Sequence, residues 1–371
     1  MGGNFVLAAG GTGGHLFPAE ALARELVECG AQVQLWTDSR THAFAAPIPG
    51  VDIRYVRAGR LGGGPVRAAR GLTELATGAV QARRLLARLR PAAVIGFGGY
   101  ASLPTMLAAV SLGLPTLLHE QNAVLGRANR LLVPLVRRIA TGFPQTAKLR
   151  PVDRRRAVHT GNPVRPAILA VGDLGYVPPQ PDGPIELLVV GGSQGAHILA
   201  EIVPAGLAMM APALRERLRV SQQARPEDRA AVVAAYAKVG IVAQIESFFA
   251  DVPQRLARAH LTICRAGAST VAELAAIGRP ALLIPYPYAT DDHQTANARA
   301  FAAAGGGRLI DQTDLHPAAL AADLERLLAH SPALSVMARH AAAFGGRDAA
   351  RQLALLALAL GPGAALRECA A

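Results

Sequence analysis

Five short stretches of this chain hold glycine, hydroxyl, amide and carboxylate residues at spacings suited to gripping phosphate and sugar. The first is Gly10-Gly11-Thr12-Gly13-Gly14-His15, set between an apolar run at 4–9 and a helical pattern. Glycine lets main-chain N–H groups approach phosphate oxygens, and a helix N-terminus adds partial positive charge. Four glycines within residues 10–14 exceed what a tight turn needs. Neither the dinucleotide fingerprint nor the Walker spacing is met. His15 is the candidate general base, because imidazole changes charge near working pH. The competing reading has it capping the helix or touching phosphate.

Gly98-Gly99-Tyr100-Ala101-Ser102 forms the second stretch, either a diphosphate cradle or a plain turn. In the third, Gly191-Gly192-Ser193-Gln194-Gly195-Ala196, the main chain and the Ser193 hydroxyl suit a second diphosphate. The fourth runs from Cys264 to Glu273, with Ser269 and Thr270 placed to cap a helix. Glu273 either accepts hydrogen bonds from two vicinal ribose hydroxyls or closes a capping box with Thr270. The fifth, residues 291–297, sets Gln294 and Asn297 three apart on one helix face. That pair either faces a ligand or opens a solvated helix.

Such turns need strands before them and helices after them, and the chain supplies both. Apolar runs at 4–9, 32–37, 92–97, 114–119 and 138–141 alternate with helical stretches, beginning with 17–29 and closed by Gly30. A Pro/Gly-rich segment follows at 163–184, and the plan restarts with a strand at 185–190 and a helix at 196–210. Further strands are expected near 241–246, 260–264, 281–284 and 307–310, and a helical end over 333–361. This alternation predicts an α/β protein of two doubly wound, Rossmann-like domains facing a cleft, with ligands at the carboxyl ends of the strands.

The 371 residues, 51% hydrophobic and 17% charged, suffice for two cores. The start, MGGNFVLAAGGTGGH, lacks a basic n-region and is not read as a signal peptide. Cysteines are too far apart for a CxxC zinc pair. The formal charge of +12 lies wholly in residues 1–160, which hold 20 Lys/Arg against 8 Asp/Glu. Such asymmetry points to a polyanionic partner. Aromatics are not interleaved with these arginines, so nucleic acid ranks low. Residues 54–90 carry nine arginines against one acid, Glu74, with leucines between them. Arg127, Arg130, Arg137 and Arg138 flank Leu131, Leu132 and Leu135. Basic residues around an apolar face suit an anionic bilayer, and a solvated amphipathic helix is the other reading.

Taken together, GGTGGHLFPAEALA at 10–23, GFGGYAS at 96–102, HEQNAVLGRANR at 119–130, GNPVR at 161–165, VVGGSQGA at 189–196, CRAGASTVAE at 264–273 and HQTANA at 293–298 resemble the MurG family. These are UDP-N-acetylglucosamine transferases that convert lipid I to lipid II. The resemblance implies a two-domain GT-B glycosyltransferase. Residues 1–163 would bind acceptor and membrane, 164–184 would link, 185–340 would bind the UDP-sugar, and 341–371 would pack back on the first domain. It assigns UDP-N-acetylglucosamine contacts to Thr12, Gly13, Gly14, Asn122, Arg165, Ser193, Phe249 (beside uracil), Ala268, Ser269, Thr270, Val271, Ala272, Glu273 and Gln294. The acceptor diphosphate falls to Gly10, Gly11, Gly98, Gly99 and Tyr100.

The implied reaction is an inverting displacement at the anomeric carbon. Without a DxD triplet, no metal and no cofactor are expected; main-chain amides, a helix dipole and Arg165 would steady the leaving diphosphate. The implied partners are UDP-N-acetylglucosamine, lipid I and an anionic membrane, with other cell-wall synthesis proteins in the same setting. The implied location is the cytoplasmic face of the cell membrane. Related UDP-sugar enzymes and a non-catalytic nucleotide-binding adaptor are the alternatives. Two departures stand out: Asp292 replaces the usual Asn, and Ser221-Gln222-Gln223-Ala224-Arg225 lacks the usual glycine, so no ligand contact is assigned there.

Overall fold

A computed structural model describes residues 3–10, 13–38, 48–59, 64–192, 195–329 and 331–361, without the side chains of 65–68. Gly11, Thr12, Ser193 and Gln194 lie outside the described residues, as do Arg60 and the side chain of Arg67.

The chain forms two compact units, and the first contains residues up to Arg165 together with those from Arg347 onward. Its strands are β1 (Asn4–Ala8), β2 (Gln32–Thr37), β3 (Val51–Tyr55), β4 (Ala93–Gly96), β5 (Thr116–Glu120), β6 (Arg138–Thr141) and β7 (Ala157–His159). They pair in parallel in the order β3-β2-β1-β4-β5-β6-β7. Helices α1 (Gly13–Glu28), α2 (Pro65–Leu89), α3 (Leu103–Ser111), α4 (Arg127–Leu132) and α5 (Pro151–Arg154) connect them.

Strand pleating divides the core in two. Phe5 and Leu7 of β1 point to one face, where Leu16, Leu22 and Leu26 of α1 cover them. Val6 and Ala8 point to the other, covered by Leu86 of α2, Met106 of α3 and Leu132 of α4. Both faces of the central strands are buried, so β1 and β4 read as unbroken apolar runs. The edge strands β3 and β7 are partly exposed and lack that signal, which is why sequence reading passes over them.

The second unit comprises residues 166–346. It opens with α6 (Pro166–Gly172), a helix within the segment read as a linker; Ile168 is buried in it. Strands β8 (Ile185–Val190), β9 (Leu218–Gln223), β10 (Val242–Glu246), β11 (Leu261–Cys264), β12 (Ala281–Leu283) and β13 (Gly307–Leu309) follow. Their parallel order is β10-β9-β8-β11-β12-β13. The helices are α7 (His197–Met209), α8 (Pro212–Arg215), α9 (Pro226–Lys238), α10 (Val252–Arg258), α11 (Ala268–Ala276), α12 (His293–Ala303), α13 (Pro317–Leu328) and α14 (Ser331–Phe344). One last helix, α15 (Ala349–Leu358), packs on α1 of the first unit, burying Leu353 and Leu358 fully. Each such leucine contributes roughly 1.5–3 kcal/mol.

In each sheet the strand order reverses at one point, between β1 and β4 and again between β8 and β11. Loops leaving such a pair diverge and open a crevice at the carboxyl ends, the usual ligand position in doubly wound sheets. All the glycine stretches singled out from the sequence leave from these four strands.

Candidate active site

At the first reversal point, the turns after β1 and β4 touch. A Cβ added to Gly10 would lie 2.7 Å from the Ala101 Cβ, so only glycine permits this approach. Gly98 and Gly99 adopt φ of 81° and 71°, the left-handed region that favours glycine. The first helix starts at Gly13, four residues earlier than its apolar periodicity indicates. Gly13, Gly14 and His15 therefore form its first turn, where N–H groups have no intrahelical acceptor. The His15 ring edge lies over Gly99: a Cβ there would sit 3.2 Å from Cδ2 and 3.4 Å from Nε2.

His15 does not bond its own helix. Its Nδ1 pairs with Gln121 Oε1 at 3.0 Å, on the segment leaving β5. Gln121 Nε2 pairs in turn with His119 Nδ1 at 3.0 Å. Glu120, buried beside them, accepts from the Asn122 and Gly126 main-chain N–H groups and from Asn122 and Asn129 Nδ2. Asn122 is thus tethered one strand away from the glycine turns. The Arg165 guanidinium stacks 5.0 Å from the Phe17 ring centroid, and Phe17 in turn packs on Gly13, which puts a cation near the start of α1. Tyr100 is half-buried at the opening of the second turn.

The second reversal point uses its side chains differently. Gly192 and Gly195 have φ of 81° and 68°, and a Cβ on Gly191 would meet Ala196 N at 2.5 Å. Gly195 packs against the Arg225 stem, 2.7 Å from such a Cβ. Sequence reading missed Arg225; only the folded loop brings it to this turn. Its neighbour Gln222 is fully buried and structural, donating to Leu199 O and accepting from Tyr236 Oη.

After β11, Gly267 is the N-cap of α11 in extended conformation, with no side-chain cap. Ala268, Ser269 and Thr270 are already helical. Thr270 is therefore not an N-cap, and the capping-box reading of Glu273 does not hold. The Ser269 Oγ is buried without a hydrogen-bond partner, and Glu273 is buried one turn further. Gln294 Oε1 accepts from Ala266 N (3.2 Å) and Tyr286 N (3.0 Å), and Asn297 Nδ2 donates to Ala266 O (3.0 Å). The two amides, read as either ligand-facing or opening a solvated helix, thus hold both main-chain groups of one turn residue. Because Gln294 Oε1 faces two donors, its NH₂ takes no part in this clamp. Arg265 braces the same turn from beneath, donating to Ile284 O, Pro285 O and Gln312 Oε1, and burial pulls its pKa down.

Phe249 is buried, with the Arg255 guanidinium 4.0 Å from its ring centroid; its neighbour Phe248 is 77% exposed. Asp291 and Asp292 have φ of 56° and 53°. Asn and Asp are the non-glycine residues that best tolerate this region, so Asp292 keeps the backbone that an Asn would adopt. Among the described residues, no three His, Cys, Asp or Glu side chains gather as a metal group would require.

Comparison with known proteins fits this layout. Residues 5–141 match the glycosyltransferase family 28 N-terminal domain, and 186–353 match its C-terminal domain. The UDP-N-acetylglucosamine--N-acetylmuramyl-(pentapeptide) pyrophosphoryl-undecaprenol N-acetylglucosamine transferase of Rhodospirillum centenum is 56% identical, over 94% of this chain and 92% of its own. The protein of the same name from Paramagnetospirillum magneticum is 55% identical, over 96% of both chains. This chain belongs to the MurG family. The crystal structure of Acinetobacter baumannii MurG, 31% identical, superposes with a TM-score of 0.77 over 95% of this chain and 98% of that one. The family resemblance carried by the seven motifs and the expected two-domain glycosyltransferase fold are both borne out.

Proposed function

We propose that this protein transfers N-acetylglucosamine from UDP-N-acetylglucosamine to the 4-hydroxyl of lipid I, the undecaprenyl-diphosphate-linked N-acetylmuramyl peptide, giving lipid II with inversion. The observation that carries this reading is the near-full-length identity to transferases of that name, joined to two glycine-lined reversal points.

The second unit holds the donor. Gly192 after β8 and the α11 N-terminus offer main-chain N–H groups to the diphosphate. Ser269, Glu273 and the Gln294 NH₂ supply polar contacts to ribose and sugar. Phe249 belongs beside the uracil, with Ala268, Thr270, Val271 and Ala272 along the same helix start. Ser193 and Thr12 join the donor set by family pattern, as do Gly13, Gly14, Asn122 and Arg165. The first unit takes the acceptor diphosphate at Gly10, Gly11, Gly98, Gly99 and Tyr100. In the reaction, the acceptor O4 bonds to the anomeric carbon while the bond to the β-phosphate oxygen breaks. His15 Nε2 takes the hydroxyl proton, and the leaving electron pair stays on UDP. Such general-base help is worth about 10²–10⁴-fold.

The acceptor's polyprenyl chain requires a bilayer, and the reading places the protein at the cytoplasmic face of the cell membrane without spanning it. Among the described residues no helix is long and apolar enough to cross a membrane. Helices α2, α3 and α4 line one face of the first sheet and expose Leu72, Val80, Leu107 and Leu131, with Leu135 exposed just beyond α4. Arg84 and Arg88 on α2, with Arg137 and Arg138 beyond α4, are exposed around them. This combination supports adsorption to anionic lipid.

The direct test incubates the protein with UDP-N-acetylglucosamine and a lipid I analogue. UDP release coupled to a disaccharide product is expected. Donor binding without turnover, or turnover only on an unrelated lipid, would contradict the proposal.

A further inference from the structure

Four groups from three separate parts of the chain form one hydrogen-bonded line in the first unit: His15, Gln121, His119 and the Gly161 carbonyl. The polarity of that line follows from its two ends. His119 Nε2 lies 3.2 Å from Gly161 O, which can only accept, so Nε2 carries the proton. Gln121 Nε2 lies 3.0 Å from His119 Nδ1 and 3.2 Å from the His119 carbonyl oxygen. Only the NH₂ end of the amide satisfies both. Its Oε1 must then accept from His15, at 3.0 Å, so the His15 proton sits on Nδ1.

Reversing the amide would set two oxygens against each other and require a second proton on His119. Burial opposes that charge: His119 is fully enclosed and its pKa is pushed down to about 4, with His15 and His159 adding smaller repulsions. The line is also held in place from outside. Asn162 Nδ2 donates to Gln121 O at 2.7 Å, and the His119 ring packs 5.6 Å from the buried Phe97 ring.

We infer that Gln121 and His119 are positioning residues that fix His15 in one tautomer, with the proton on Nδ1 and the lone pair on Nε2. A free neutral imidazole samples both tautomers, and only this one presents a proton acceptor on the edge that lies over Gly99. The inference rests on the reading of His15 as the base for the acceptor hydroxyl, and it adds how that base is kept ready.

The test uses the full-length protein with ¹⁵N-labelled histidine. In the wild type, His15 should show a protonated Nδ1 and an unprotonated Nε2 at neutral pH. Gln121→Met, close in volume, should give a mixture of tautomers and lower kcat about ten- to a hundredfold with donor KM nearly unchanged. Gln121→Glu keeps an acceptor toward His15. With its other oxygen protonated toward His119, it should retain the Nδ1–H tautomer and recover part of kcat. A wild-type His15 protonated on Nε2 would overturn the inference. So would a Gln121→Met protein with unchanged spectrum and kcat. Failure of the functional reading is seen separately, as absent wild-type turnover with the spectrum still showing Nδ1–H.

Discussion

The two reversal points are built on one plan and equipped for different work. Around β1 and β4, a series of polar side chains bonds one to the next, His15 to Gln121 and Gln121 to His119, with Asn129 on Glu120 beside them. Around β8 and β11, they bond mainly to main chain. Gln294 and Asn297 clamp Ala266, and Arg265 donates to Ile284 and Pro285. A side-chain line fixes where a proton sits; braces on main chain fix where amides point. On the proposed reading, the same strand–turn–helix unit serves proton transfer and the acceptor in one place and the donor in the other.

This contrast breaks most visibly at His15. His15→Ala should lower kcat by about 10²–10⁴-fold while leaving donor KM nearly unchanged. A small change in kcat, with the acid limb of the pH profile intact, would remove His15 as base. Acid should strike the first unit next. Because His119 has a folded-state pKa of about 4 against the usual 6.5, the unfolded chain takes up a proton below pH 6.5 that the folded chain refuses. Its contribution is complete above pH 6.5 and is lost as pH falls to about 4, an effect on the order of 3 kcal/mol. His119→Asn should reduce the pH slope of the unfolding free energy in that window by up to one proton; an unchanged slope would mean that His119 is not held neutral.

In the second unit, Gln294→Ala strands the Ala266 and Tyr286 N–H groups and removes the amide NH₂. A loss of about 1–3 kcal/mol is expected, read as a rise in donor KM and a lower Tm with kcat less affected. The smallest effect per residue belongs to the surface. Reversing Arg84 and Arg88 to Glu should weaken binding to anionic vesicles by ~1 kcal/mol for each positive charge removed, with further loss as salt rises. Equal binding to neutral vesicles would defeat the electrostatic account.

Much of the fold was legible because buried parallel strands are continuous apolar runs and glycine turns follow them. What escaped did so for physical reasons. Strands β3 and β7 lie on edges and mix exposed polar residues with apolar ones. Helix α6 was hidden in a Pro/Gly-rich stretch because its only buried residue is Ile168. The start of α1 was placed late because glycines carry no apolar periodicity. In the site, the glycine turns, His15 and Gln294 could be named from local motifs. Gln121 and Arg225 could not, since their roles arise from contacts across 106 and 30 residues of chain respectively. The one local clue to Gln121 was its spacing of two from His119 at a strand end, which sets both on one side.

The most direct measurement of this division of labour is calorimetric titration of UDP-N-acetylglucosamine into His15→Ala and Gln294→Ala alongside wild type. The account predicts that His15→Ala binds donor with the wild-type Kd and that Gln294→Ala binds it about tenfold or more weakly. Donor binding lost in His15→Ala and kept in Gln294→Ala would contradict it.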